Sequence, residues 1–205
     1  MIKAVIFDLD GVLFSTDAIH RESLLRAVYE VAIIDASSYP EISKKSMLST
    51  KEKLCLIQNY YHFSDDTYTR IIKEKDRIFL NRIGSLKADD NIIECLEYLS
   101  KSKIKIAIAS NSRLMNVNAI LTATGINKYF ATIVSAEEVK NRKPAPDILF
   151  EVYKRLKLRK ADQSKTLLIE DSDEGEAAGI NSPSKVLRIN NPEDLTLTLL
   201  KDCIK

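Results

Sequence analysis

In the stretch AVIFDLDGVLF (residues 4–14) two carboxylates, Asp8 and Asp10, end an apolar run and are followed by Gly11. A carboxylate carried into a buried setting is costly unless it meets a cation. Later runs end in the same way: Ser110-Asn111 closes 104–109, and Glu170-Asp171 closes 166–169. In NRKPAPDIL, Lys143 stands before Pro144. The hard oxygens of Asp8, Glu170 and Asp171 suit Mg2+, whose charge would offset the clustered acids and draw a phosphate. Lys143 and Ser110 add a point charge and a donor for phosphoryl oxygens. A carboxylate can attack phosphorus to give an aspartyl-phosphate, and a second carboxyl can protonate the leaving oxygen and then activate water.

Each piece also has a plainer reading. Ser110-Asn111 alone reads as a helix N-cap. Lys143-Pro144 alone is an extended dipeptide with an exposed lysine. Glu170-Asp171-Ser172 alone is an acidic helix start that suits the macrodipole. Their order along the chain, and their shared position after apolar runs, favour the chemical reading.

From residue 87 onward, β-branched runs at 104–109, 132–134, 166–169 and 186–189 alternate with helical patterns at 91–99, 115–124, 147–156 and 174–179. With 3–7 added, this predicts five parallel strands in βα units. In such a sheet ligands bind beyond the carboxyl ends of the strands, which is where all the acids fall. Gly125 stands where a helix C′ residue belongs. Asn191-Pro192 reads as an N-cap and first helical proline opening a C-terminal helix. Between Asp17 and Ile83 strand signals are almost absent, and three helical patterns occur. The first carries Leu24, Leu25, Val28, Val31 and Ala32. The second carries Leu54, Ile57 and Tyr61 behind a Ser49–Glu52 capping box, and the third Tyr68, Ile71, Ile72, Lys75 and Phe79. The expected fold is therefore an α/β, Rossmann-like parallel-sheet core (residues 1–15 and 86–205) with an inserted all-helical cap domain (16–85).

Composition excludes several function classes. The chain has 205 residues and a formal net charge of +2, with both signs interspersed, which implies neither a nucleic-acid nor a membrane surface. No apolar run approaches a membrane span, and Asp8 and Asp10 interrupt the first short apolar segment, which is not expected to act as a signal peptide. Cys55, Cys95 and Cys203 are widely spaced and odd in number; they are expected to be buried as small hydrophobes in a cytoplasmic protein.

The set FDLDGVLF, IASNS, RKPAPDIL and LLIEDSDEGEAAG resembles, in order, the four motifs of the haloacid dehalogenase (HAD) superfamily. The helical insertion resembles the cap of its phosphoglycolate phosphatase and β-phosphoglucomutase branch. The resemblance implies Asp8 as nucleophile and metal ligand, and Asp10 as general acid/base with its carbonyl on the metal. It implies Ser110, with Asn111, and Lys143 as the phosphoryl-binding groups, and Glu170 and Asp171 as the rest of the Mg2+ site. The superfamily's dehalogenases lack an acid at the position of Asp10, so its presence implies phosphoryl chemistry. The chain departs from the pattern before its last strand, where Ser182-Pro183 replaces the usual small pair, and its five glycines are few.

The expected activity is hydrolysis of a small phosphorylated metabolite such as a sugar phosphate, phosphoglycolate or a nucleotide-type monoester. A phosphomutase is the alternative, and a receiver-like phospho-accepting switch a remote one. Substrate choice would lie in the cap, hinged at Ser15-Thr16 and 84–86. Its candidate contacts are His20, Lys44, Lys45 and Lys51, with Lys75 a weaker one and His62 structural. Monomer and homodimer are equally compatible with the sequence.

Overall fold

Strand β1 (Ala4–Phe7) is buried at every residue because it has strands on both sides and helices on both faces. In the computed structural model, which describes residues 1–37 and 48–205, it pairs in parallel with β2 (Lys105–Ser110) and β4 (Thr166–Glu170). β3 (Thr132–Ser135) and β5 (Lys185–Arg188) complete a five-stranded parallel sheet of order β3-β2-β1-β4-β5. The chain steps outward from β1 to β3 and then returns to the other side of β1. The order therefore reverses between β1 and β4, the switch point at which open sheets leave a crevice. Register brings the site residues level. Phe7 pairs with Ile108 on one side and Ile169 on the other, so Asp8 and Glu170 leave the sheet at one height.

By backbone contacts the chain divides into two compact units, Met1–Ser15 with Leu86–Lys205, and Thr16–Ser85. In the first, α4 (Asp90–Lys101) lies against β2, α9 (Leu197–Ile204) lies against α4, and α5 (Leu114–Thr124) follows β2. α6 (Asp147–Arg155) packs on β2 and β3, and short α7 (Lys160–Gln163) precedes β4. α8 (Asp173–Ile180) packs on β4 and β5. Ile148, Leu149, Val152 and Tyr153 of α6 meet Ala4, Ile6, Ala107, Val134 and Leu168 in one core cluster. Each such Leu, Ile or Val contributes about 1.5–3 kcal/mol through burial. Gly125 ends α5 at φ 71°, in the left-handed region, as expected of C′ glycine.

In the second unit α1 (Asp17–Ala32) packs against α3 (Asp65–Ile83), with α2 (Thr50–Tyr61) beside them. Leu24, Val28, Leu54, Ile57 and Ile71, on the faces anticipated from spacing, form its core. The Ser49–Glu52 capping box opens α2, and Ser64 caps α3. No helix among the described residues is long and apolar enough to cross a membrane.

Two expectations need correction. Asn191-Pro192 opens only the 3-10 turn Pro192–Asp194; the terminal helix starts at Leu197 under Thr196, whose hydroxyl accepts from Leu199 N–H. Of the cysteines only Cys95 is buried. Cys55 is exposed, because α2 turns Leu54 and Ile57 inward and leaves its neighbour outside, and Cys203 is half-buried. The Ser182-Pro183 departure is stitched into place rather than left loose. Tyr153 Oη meets Ser182 Oγ at 3.1 Å and Ser184 Oγ at 2.6 Å, and Ser184 Oγ also meets Thr166 Oγ1 at 2.6 Å.

Candidate active site

At the carboxyl ends of β1, β2 and β4 the sheet brings together Asp8, Asp10, Ser110, Asn111, Glu170 and Asp171, and the loop after β3 adds Lys143. Read alone, Lys143 is an exposed lysine; here it is 2% exposed. Its Nζ donates to Asp8 Oδ1 at 2.7 Å and to Glu170 Oε1. Burial opposes the Lys143 ammonium, but the carboxylates of Asp8 and Glu170 overcome it and hold the group above its ordinary pKa. Asp8 responds in the opposite sense. Burial pushes its carboxyl well above the usual range; Lys143 pulls it down, Glu170 and Asp10 push it up, and the net shift is upward.

The loops that hold these groups are tied to one another. The Asn111 side chain clamps the backbone of Lys143, Nδ2 donating to its carbonyl at 3.2 Å and Oδ1 accepting from its N–H at 3.1 Å. Ser110 does not cap α5: its Oγ accepts from Ser112 N–H at 3.0 Å, and α5 starts four residues on, at Leu114. Glu170 Oε2 accepts from Asp171 N–H, Ser172 N–H and Ser172 Oγ at 3.0–3.3 Å. Ser172 is in turn the N-cap of α8 through Gly175 N–H. Both oxygens of Glu170 are therefore engaged within the protein.

Two glycines make the cluster possible. Gly11 has φ 90°, and a Cβ there would stand 2.1 Å from Asp171 Oδ2. A Cβ on Gly175 would stand 1.9 Å from Glu170 Cδ. Sequence reading noted Gly11 as the residue after the two acids; it did not foresee the carboxylate beside it, and it passed over Gly175. It also passed over Ser112, whose Oγ donates to Asp10 Oδ2 at 2.5 Å. The one signal available was that Ser112 lies in the same IASNS stretch as Ser110.

One oxygen from each of Asp8, Glu170 and Asp171 lies within 4.8 Å of the others. In an octahedral Mg2+ site adjacent oxygens stand about 3.0 Å apart and opposite ones about 4.2 Å, so the three carboxylates would draw closer to share one cation. The charge balance points the same way. Lys143 supplies one positive charge between Asp8 and Glu170, and a divalent cation would add further positive charge among the acids of this rim. The donor set fits a hard divalent ion.

His20 and Lys51, read as substrate contacts, belong to the second unit. His20 stacks on Phe79 with ring centroids 4.3 Å apart, and its Nδ1 lies 3.2 Å from Nζ of buried Lys75. Lys51 is in the first turn of α2 and exposed, and His62 ends α2 at φ 56°. Lys44 and Lys45 lie outside the described residues.

Residues 5–189 match the haloacid dehalogenase-like hydrolase family. A phosphorylated carbohydrates phosphatase of Thermotoga maritima is 30% identical over 179 residues, covering 85% of this chain and 78% of that protein. The structure of a β-phosphoglucomutase from Clostridium difficile is similar at a TM-score of 0.76 and 26% identity, covering 98% of this chain and 96% of that one. A HAD hydrolase from Entamoeba histolytica, 20% identical with a TM-score of 0.78 over 99% of both chains, shares the fold. With its switch-point carboxylates and a family match across nearly its whole length, this chain belongs to the haloacid dehalogenase-like hydrolases.

Proposed function

We propose that the protein is an Mg2+-dependent phosphatase of a small phosphorylated metabolite that works through a phosphorylated Asp8. The observation that carries this reading is the buried Asp8–Lys143–Glu170 constellation at the β1/β4 switch point, with Asp10 and Asp171 beside it. An Asp8 carboxylate oxygen forms the bond to phosphorus as the bond to the leaving oxygen breaks, and Asp10 delivers its proton to that oxygen. Asp10, now a carboxylate, takes a proton from water as the water attacks the aspartyl-phosphate, releasing phosphate and restoring Asp8. Ser110 and Lys143 hold the transferring group's oxygens, and Asn111 supports them by bonding the Lys143 backbone with its side-chain amide. Mg2+, held by Asp8, Asp171, Glu170 and the Asp10 carbonyl, would neutralise phosphoryl charge and orient the group for in-line attack. His20 and Lys51 are the proposed substrate-side groups in the second unit.

A phosphomutase is the second reading, favoured by the 26% identity to a β-phosphoglucomutase. It uses the same Asp8 but returns the phosphoryl group to a sugar. Phosphate release from sugar phosphates, phosphoglycolate, nucleotides and an aryl phosphate, with and without Mg2+, tests the proposal. Metal-dependent release concentrated on one substrate is expected, with Asp8→Asn slower by on the order of 10^4-fold. Normal turnover in Asp8→Asn would overturn the mechanism. Labelling of Asp8 without net phosphate release would favour the mutase.

A further inference from the structure

At the opposite edge of the same sheet from Asp8, where the strands begin, the first unit contains a cavity of about 960 Å³. Seven of its fifteen lining residues are Lys or Arg, and a single one, Asp162, is acidic. Its apolar lining is Met1, Ile2, Ile104, Leu158, Ile204 and the ring of Tyr98. In a chain of net charge +2 this is a strong local concentration of positive charge.

Helix ends explain part of it. The cavity is lined by residues at the C-termini of α4, α6 and α9, and cations are favoured there. Three such ends amount to roughly one and a half negative charges, well short of what seven cations supply. Internal partners absorb several of the rest. Lys3 and Arg159 pair with Asp162, Lys205 pairs with Asp202, Lys105 Nζ donates to Leu156 carbonyl oxygen at 2.5 Å, and Lys201 lies over Tyr98.

Lys103 and Lys157 make no ion pair or side-chain hydrogen bond among the described residues. Both occupy the left-handed region, at φ 56° and 53°, where glycine is the unstrained choice. Two unpaired lysines thus stand at one cavity in backbone conformations that disfavour any side chain. That conformation is an ordinary helix end, closed by Ile104 N–H on the Leu99 carbonyl and Leu158 N–H on the Tyr153 carbonyl, so what bears on a ligand is the charge of the two lysines and not their backbone.

We propose that this cavity binds a small organic polyanion: two or more phosphate or carboxylate charges on an apolar or aromatic frame. The cations supply the charge recognition, and the apolar lining selects against a bare inorganic anion. The volume lies in the range of small-molecule sites. Cations surrounding a concavity fit a compact ligand better than an extended nucleic-acid strand. The proposal is independent of the phosphatase reading, because it concerns the other end of the sheet.

Calorimetry of the full chain with ATP as probe, in EDTA to suppress turnover, tests it. The comparison ligands are tripolyphosphate and a short single-stranded oligonucleotide. The test variant is K103G/K157G, which deletes both charges while relieving both backbone positions and should melt no lower than wild type. K103Q/K157Q serves as a second, side-chain-retaining variant. Saturable one-to-one ATP binding is expected, weakened at least about tenfold in both variants, with tripolyphosphate clearly weaker than ATP. Phosphate release at the carboxyl edge should be unchanged in both. Absent ATP binding, binding unchanged in the variants, tripolyphosphate equal to ATP, or an oligonucleotide that binds more tightly would each overturn the proposal.

Discussion

Lys143 holds together groups that would otherwise repel. Removing one partner from a buried ion cluster leaves uncompensated charge, at a cost of about 3–5 kcal/mol. Lys143→Met should lower stability by that order in chemical denaturation, since Asp8 and Glu170 remain buried without their shared cation. Ser112 Oγ donates to Asp10 Oδ2. A hydrogen bond to a charged group contributes about 1.5–3 kcal/mol, so Ser112→Ala should reduce kcat by roughly ten- to a hundredfold while KM changes little. A KM effect as large as the kcat effect would place Ser112 against the substrate instead.

Among the elements, α8 shows how a short helix start shapes the site. Its first turn approaches Glu170 so closely that only glycine fits at 175. Gly175→Ala should therefore cost about 1–3 kcal/mol through overpacking. Gly84 provides the contrast. It ends α3 at φ −60°, and the nearest atom to a built Cβ is 3.9 Å away, so Gly84→Ala should stabilise by about 0.4–1 kcal/mol. Thermal melts of the two variants should shift in opposite directions. The helix faces also sort the thiols. Burial and neighbouring Glu94 push Cys95 up to about 11, whereas Cys55 is exposed. Thiol labelling of the native protein at pH 8 should modify Cys55 and spare Cys95, and rapid labelling of Cys95 would contradict its packing in α4.

Across the molecule, Asp162 joins the beginning of β1 to the segment leading into β4. Arg159, then Lys165 and Lys3, hold its carboxyl down to about 2. A carboxyl lowered on folding stabilises the native state above its unfolded value near 3.9, and that contribution is lost as pH falls towards 2. Asp162→Asn should therefore be less stable than wild type at pH 7, and the two should converge between about pH 4 and 2. A gap that persists at pH 2 would assign the loss to packing.

The parallel sheet, its five strands and the clustering of acids at their carboxyl ends were readable because each depends on local pattern. β-branched runs alternate with amphipathic stretches, and an acid, hydroxyl or amide closes three of the runs. The chemistry expected of Asp8, Asp10 and Lys143 followed from residue type and order. What only the tertiary structure decided depends on strand order and register. Lys143 is buried because β1 and β4 are neighbours and Phe7 pairs with Ile169, which sets Asp8 and Glu170 level on either side of one ammonium. Asn111 clamps Lys143, Ser112 reaches Asp10, and Gly11 and Gly175 make room for carboxylates, across separations as large as 160 residues along the chain. No local pattern encodes such pairs, because each forms only when distant loops are brought to the same edge of the sheet.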